Sequence, residues 1–174
     1  MTHAIFKRTV LFVAFVLVWA ICAAAMANAA NRDIVNFSGF APGTIVVKTG
    51  ERWLYFVIDG RRALRFPVGV GREGKAWTGI AHVEGKYVMP AWAPPKEIRR
   101  EQPHLPEFIP GGDRDNPMGA AALTLRGGEY AIHGTNNPRS IGGFVSYGCI
   151  RMHNRDIRAL YRMVDIGTPV IVER

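Results

Sequence analysis

The sequence predicts a mainly β fold with one helix near its C-terminal end and one long proline-rich loop. Three observations predict it: short β-branched and aromatic runs that end in glycine turns, one apolar stripe with helical spacing, and a cluster of prolines. The chain has 174 residues, of which 48% are hydrophobic and 21% charged. This balance fits one globular domain and excludes an intrinsically disordered chain.

The first 29 residues have the layout of a secretory signal peptide. Lys7 and Arg8 form a basic start, and the stretch 10–27 carries no charged or polar side chain before the small-residue pattern Ala27-Asn28-Ala29. The apolar run is also long enough to remain as an uncleaved membrane anchor. Either alternative predicts export to the periplasm or cell envelope. Residues 30–43 are then expected to be a short linker, and 44–174 the folded domain.

Strand signals fill much of that domain. The runs 44–47 and 53–58 are β-branched or aromatic, and Asp59-Gly60 is a strong hairpin signal that turns the chain back into 61–70. Four further runs have strand character: 86–92, 120–125, 130–133 and 168–172. The first three runs, joined by tight turns, predict an antiparallel start to the sheet.

One helix is predicted over 154–164. Ile157, Leu160 and Val164 recur at helical spacing, and Asn154 is expected to cap the N-terminus with its side chain.

A proline-rich loop is expected over 89–118, which holds most of the 11 prolines of the chain. Proline removes backbone donors, so we expect neither sheet nor helix in this stretch. Long loops of this kind often serve as lids or binding loops. Trp92 makes the loop a candidate substrate-binding element.

The candidate reactive side chains lie in the segment from His133 to Met152. Cys149 is the single cysteine of the exported part, because Cys22 lies in the apolar leader. A thiol with a pKa of about 8.5 needs a base to attack a carbonyl at neutral pH, and His133 can supply that base across the intervening loop. Backbone N–H groups around Gly148 and Cys149 could form an oxyanion hole. The alternative is a buried and inert cysteine.

The formal net charge of +8 suits an anionic polymer or surface as partner. No zinc-finger spacing and no RNA-binding aromatic run occurs, so no nucleic-acid partner is expected. Cys149, His153 and His133 would supply three ligands for a zinc-dependent hydrolase. Since the sequence has neither a Cys-x-x-Cys pair nor a His-Glu-x-x-His motif, we expect no metal and no cofactor.

The segment 133–152 closely resembles the active-site signature of the L,D-transpeptidase catalytic domain, the YkuD-like family of bacterial cell-wall enzymes. The resemblance runs over about 43–173 and rests on two tracts at the family's spacing. They are His133-Gly134-Thr135-Asn136 and Ser146-Tyr147-Gly148-Cys149-Ile150-Arg151-Met152. Further family landmarks lie at 116–119 and 91–95.

The resemblance implies a β-sandwich-like catalytic domain over 44–174 and acyl transfer on peptidoglycan stem peptides. Cys149 would attack the carbonyl after the third residue of a stem tetrapeptide and release D-alanine. His133 would be the base, oriented by the carbonyl of Gly134. Ser146 and Arg151 would contact substrate. The acceptor would be an amine of another stem, which cross-links the wall, or a lysine of an envelope protein, which tethers that protein to it.

Tyr147 departs from the family pattern, because many members have histidine at this position. A tyrosine carries no charge at neutral pH, although its hydroxyl can still donate a hydrogen bond near the substrate. Two alternatives stay open on the same site: a cell-wall peptide hydrolase or amidase, and a non-catalytic peptidoglycan-binding module. The sequence gives no indication of the oligomeric state.

Overall fold

The computed structural model describes residues 34–127 and 130–174. In these two ranges the chain forms ten β-strands and two α-helices. The strands are β1 (Ile34–Asn36), β2 (Ile45–Lys48), β3 (Trp53–Val57), β4 (Arg62–Gly71), β5 (Gly79–Val88), β6 (Ala121–Leu125), β7 (Ala131–His133), β8 (Phe144–Ser146), β9 (Ile150–Met152) and β10 (Pro169–Glu173). The helices are α1 (Lys96–Glu101) and α2 (Asn154–Met163). The predicted signal peptide or anchor, 1–29, lies outside the described residues.

The mainly β prediction is confirmed, and the strands close into a barrel-like sheet. Strands β2, β3 and β4 form the predicted antiparallel start, and β10 lies between β2 and β5. Strands β5, β6 and β7 continue the sheet antiparallel, and β9 runs parallel to β7. Because β9 also pairs with β4, the sheet returns to its starting edge.

The main core lies between the inner face of this sheet and helix α2. The predicted apolar stripe of the helix is buried, since Ile157 and Leu160 are fully covered and Val164 nearly so. These side chains pack in one cluster with strand residues such as Leu123 and Ile150. Burial of this stripe fixes α2 against β6 and β7, the strands that carry the site described below.

Strand β5 and the proline-rich loop differ from the prediction. β5 begins at Gly79, well before the expected 86, and ends at Val88. Only alternate residues of its first half face the core, so polar His82 and Glu84 weakened the strand signal. The loop holds helix α1 immediately after Pro95, so the expectation of no helix in 89–118 was wrong. A glutamate in the first turn and arginines in the last stabilise such a short helix through its dipole.

Residues 35–40, in the stretch expected to be a linker, pack against the sheet. The ring of Phe37 stacks on Tyr55 at 4.3 Å and on Phe40 at 5.3 Å between centroids. Together with Val35 these rings cover a second apolar cluster around Val46 on the outer face of the sheet. A sequence pattern of isolated aromatics gives little warning of such packing, because no periodicity accompanies them.

Candidate active site

A cavity of about 700 Å³ opens on the face of β7 and β9 that lies opposite helix α2. Its floor carries His133, Cys149 and Arg151, so the structure brings together the residues singled out by the sequence. One wall comes from the segment after β4, around Lys75, and the other from the proline-rich loop, including Trp92. The backbone of Trp92 pairs with Ile109, which folds that loop onto itself.

Strand register explains why His133 and Cys149 lie on the same floor. His133 at the end of β7 pairs with Arg151 on β9 in parallel register. Side chains alternate along each strand, so His133, Arg151 and Cys149 face the cavity while Ile132 and Ile150 are buried in the core. Cys149 is one strand across and two residues back from His133, a separation of about 8 Å between Cα atoms. Side chains on one face reach each other over that distance.

Burial favours the uncharged forms of both His133 and Cys149. Together with the smaller effect of the nearby positive charge of Arg151, it lowers the pKa of His133 from 6.5 to about 4, against the opposing effect of the Gly134 and Pro117 carbonyls. Burial also raises the pKa of the Cys149 thiol, while the backbone of Ala131 and the charge of Arg151 lower it. At neutral pH the cavity therefore holds a thiol and an imidazole in its base form.

The depressed pKa of His133 makes folding stability depend on pH. Between its ordinary value of 6.5 and about 4, the unfolded chain binds a proton that the folded chain does not. We therefore expect the free energy of unfolding to fall as pH is lowered through this window, by about 3 kcal/mol in total. Urea unfolding at pH 7 and pH 4.5, compared with His133→Gln, measures this contribution. An equal pH dependence in both proteins would contradict it.

Residues 42–172 match the family model of the YkuD L,D-transpeptidase catalytic domain. The chain belongs to this family. It is 42% identical over 135 residues to ErfK/SrfK of Escherichia coli strain K12, a match that covers 72% of this chain and 42% of that protein. It is 54% identical over 134 residues to YkuD of Bacillus subtilis, covering 76% of this chain and 67% of the relative. Both relatives are named as L,D-transpeptidases.

Solved structures of L,D-transpeptidases share the fold of this YkuD domain. The structure of an L,D-transpeptidase from Mycobacterium smegmatis superposes with a TM-score of 0.59 at 20% identity, covering 75% of this chain and 58% of that one. The present chain spans less than half the length of its Escherichia coli relatives. The family assignment therefore concerns the catalytic domain.

Arg151 supplies the positive field of the YkuD site. Burial lowers its pKa, yet an arginine stays charged in proteins. Its Nε is buried and has no hydrogen-bond partner among residues 34–127 and 130–174. The charge lies near both Cys149 and His133 and lowers the pKa of each. It thus favours negative charge on the sulfur and the neutral, proton-accepting form of the imidazole.

Ser146 and Gly148 shape the turn that precedes Cys149. The Ser146 hydroxyl donates to the Cys149 carbonyl at 2.6 Å and accepts from the Gly148 N–H at 3.1 Å. The N–H of Gly148, expected to be an oxyanion donor, is therefore already engaged within the turn. Gly148 has a φ of +118°, and a Cβ there would lie 2.3 Å from the Tyr130 ring, so only glycine fits.

Tyr147 connects the turn that precedes Cys149 to the proline-rich loop. Its hydroxyl donates to the carboxylate of Glu101 at the end of α1, which raises the pKa of Tyr147. The Arg72 guanidinium lies 4.1 Å from the centre of the tyrosine ring and bonds the same carboxylate at 2.8 Å. A second ion pair joins Lys75 to Glu97 of α1. The hydroxyl that the sequence placed near substrate is thus used to hold the loop.

Asn154 was expected to cap helix α2, and that expectation was wrong. His153 occupies the cap position, with no side-chain hydrogen bond to the helix. The Asn154 amide instead accepts from the N–H groups of Ala120 and Thr135 and donates to the Thr135 carbonyl, each at 3.0 Å. Gly134 passes so close that a Cβ would lie 2.2 Å from the amide oxygen. Asn154 therefore fixes the backbone that follows His133.

Asn154→Ala is expected to lower the free energy of unfolding by about 3–5 kcal/mol, because three backbone groups of nearly buried residues lose their partner. Chemical denaturation measures the change. Asn154→Asp is the matched control, since it keeps the oxygen that accepts two of the three bonds and should cost less. Equal stability of Asn154→Ala and wild type would refute this assignment.

In 34–127 and 130–174, no three histidine, cysteine or carboxylate side chains come together as a set of metal ligands. The zinc hypothesis built on His133, Cys149 and His153 therefore has no ligand cluster there. Within the same ranges, no helix is long and apolar enough to cross a membrane.

Proposed function

We propose that this chain is a peptidoglycan L,D-transpeptidase. It would transfer an acyl group from a stem tetrapeptide through Cys149 to an amine acceptor, with release of D-alanine. One observation carries the proposal: a thiol, an imidazole in its base form and a half-buried arginine share the floor of one cavity large enough for a peptide. The family membership of the domain supports the same reaction class.

The first half-reaction forms a thioester. Sγ of Cys149 attacks the carbonyl carbon after the third stem residue while the imidazole of His133 takes the thiol proton. The charge of Arg151 favours the sulfur's developing negative charge, and the Gly134 and Pro117 carbonyls favour the protonated imidazole. The C–N bond to D-alanine then breaks, and His133 returns the proton to the departing amine.

The second half-reaction resolves the thioester with an amine. The acceptor nitrogen attacks the thioester carbonyl and gives its proton to His133. The C–S bond breaks, and Cys149 regains a proton from the imidazole as it leaves. A side-chain amine of another stem yields a cross-link, and a lysine of an envelope protein yields a tethered protein.

We propose that the walls of the cavity bind the stem peptide. Trp92 and Arg151 both line the space above Cys149, so they are the side chains best placed to contact the donor. Ser146 and Tyr147 also line it, but their hydroxyl groups are bonded to the Cys149 carbonyl and to Glu101. Their contribution is to hold the turn and the loop. Export of the chain, expected from residues 1–29, would place the site beside its polymer.

Incubation with a disaccharide tetrapeptide tests the proposal directly. Mass spectrometry should detect a cross-linked dimer together with D-alanine, and an acyl adduct on Cys149 at early times. Shortened monomers without dimer would instead support a peptide hydrolase. Binding of the tetrapeptide without any release of D-alanine would support the non-catalytic module.

A further inference from the structure

The cavity face of the sheet continues beyond the proposed catalytic residues to an exposed aromatic ring on β5. Tyr87 is opposite Ala122 on β6, and Ala122 is opposite His133 on β7. His133 in turn pairs with Arg151 on β9. These four residues therefore form one row across four neighbouring strands, with His133 and Arg151 on the floor of the cavity.

The neighbour of Tyr87 along β5 shows which way the ring points. Lys86 projects toward helix α2, where its ammonium lies 4.6 Å from the centre of the Tyr161 ring and bonds the Val164 carbonyl. Successive side chains of a strand point to opposite faces. The side chain of Tyr87 is consequently on the face away from α2, which is the face of the cavity.

The Tyr87 side chain folds back over Gly85 on that face. The position of a Cβ on Gly85 would be 2.7 Å from Cε2 of Tyr87 and 2.9 Å from the hydroxyl oxygen of Thr124. The ring therefore covers Gly85, and it does so beside Thr124, which lines the cavity. Tyr87 is nevertheless 51% exposed. Small residues, Gly85 and Ala122, let the ring lie close to the sheet.

We propose that Tyr87 is a stacking platform for the sugar attached to the stem peptide of the donor. This inference rests on the proposed function. A half-exposed aromatic face offers apolar area and a negative π surface to the C–H groups of a pyranose ring. The platform is continuous with the cavity through Thr124 and requires no movement of the sheet.

The distances suit a ligand that reaches from the nucleophile to the platform. Gly85, which the Tyr87 side chain covers, is three strands away from Cys149 in the same row of the sheet, about 14 Å between Cα atoms. Three extended residues span at most about 11 Å. With the third stem residue at Cys149, the group that joins the sugar to the first residue covers the remaining distance of about 3 Å, so the sugar arrives at the Tyr87 side chain. Free stem peptide lacks the group that this platform would recognise.

The test compares two donors, a disaccharide tetrapeptide and the free tetrapeptide, by D-alanine release. In Tyr87→Ala we expect the ratio of kcat/KM for the sugar-bearing donor over the free donor to fall about tenfold, because one face of the ring loses its contact. Tyr87→Phe should keep the ratio within twofold. Val88→Ala is the matched control, since Val88 is 64% exposed on the opposite face of the same strand.

An unchanged ratio in Tyr87→Ala, or an equal fall in Val88→Ala, would overturn the platform and leave the proposed function intact. If wild-type protein releases D-alanine from neither donor, the proposed function fails. Calorimetric binding of both peptides to Cys149→Ala then decides the platform by itself. If the double variant Cys149→Ala/Tyr87→Ala shows the same tenfold loss of preference for the sugar-bearing peptide relative to Cys149→Ala, the platform is supported. If the preference is unchanged, the platform is refuted.

Discussion

Replacing Cys149 with alanine is expected to reduce D-alanine release by more than about 10⁴-fold, because the attacking atom is gone and no thioester can form. The side chain is only partly exposed, and alanine fits the space it leaves, so the variant should fold. Intact-mass spectrometry after mixing with tetrapeptide checks both points. Wild type should gain the mass of the acyl group, and Cys149→Ala should not.

Cys149→Ser is a second, more conservative variant for the same test. A serine hydroxyl at the same place keeps the size and polarity of the group but ionises far less readily than a thiol, so we expect it to be nearly as inactive. The turn that Ser146 holds through the Cys149 carbonyl depends on the backbone and should survive either substitution. Continued D-alanine release by Cys149→Ala would refute the assignment of the nucleophile.

Replacing His133 with alanine is expected to lower the rate of acylation by about 10²–10⁴-fold, the usual contribution of a general base. The reason is that the Cys149 thiol and the His133 imidazole are both uncharged before the reaction begins. Because burial raises the pKa of the thiol, few molecules hold a thiolate at neutral pH unless the imidazole accepts the proton during attack. The rate of alkylation of Cys149 by iodoacetamide at pH 7 should fall together with turnover.

Two controls separate loss of the base from loss of structure. His153→Ala removes a histidine close to Cys149 in sequence that is not among the residues lining the cavity, and it should leave alkylation and turnover unchanged. Added imidazole should restore part of the turnover of His133→Ala, because the cavity can admit it. Wild-type alkylation and turnover in His133→Ala would show that another group acts as the base.

The general plan of the site could be predicted from sequence because the tract 133–152 carries its own signals. A histidine that ends a strand and a cysteine that precedes a strand and a helix are local features, and the register of β7 with β9 brings them to one face. The helix that follows was also predictable, since the spacing of Ile157, Leu160 and Val164 depends on neighbouring residues alone.

The parts that escaped prediction depend on distant partners. Tyr147 bonds Glu101 across 46 positions, and Arg72 bonds the same carboxylate across 29. A single sequence gives no sign of which exposed charges will meet. The hydrogen-bond partners of Asn154 were also not predictable from the sequence. Its type and place suit a helix cap, yet two chain segments converge on its amide and compete successfully for it.

The closure of the sheet by β4 and β9 has a consequence for how the chain matures. Val68 and Met152, which pair there, are distant in sequence, so their meeting carries a large loop-closure entropy and comes late in folding. The segment that follows β4 supplies one wall of the cavity around Cys149, so the cavity is complete only when that contact forms. Until β4 and β9 meet, we therefore expect Cys149 to lack a complete binding cavity, so a peptide can be held over the thiol only after this late contact has formed.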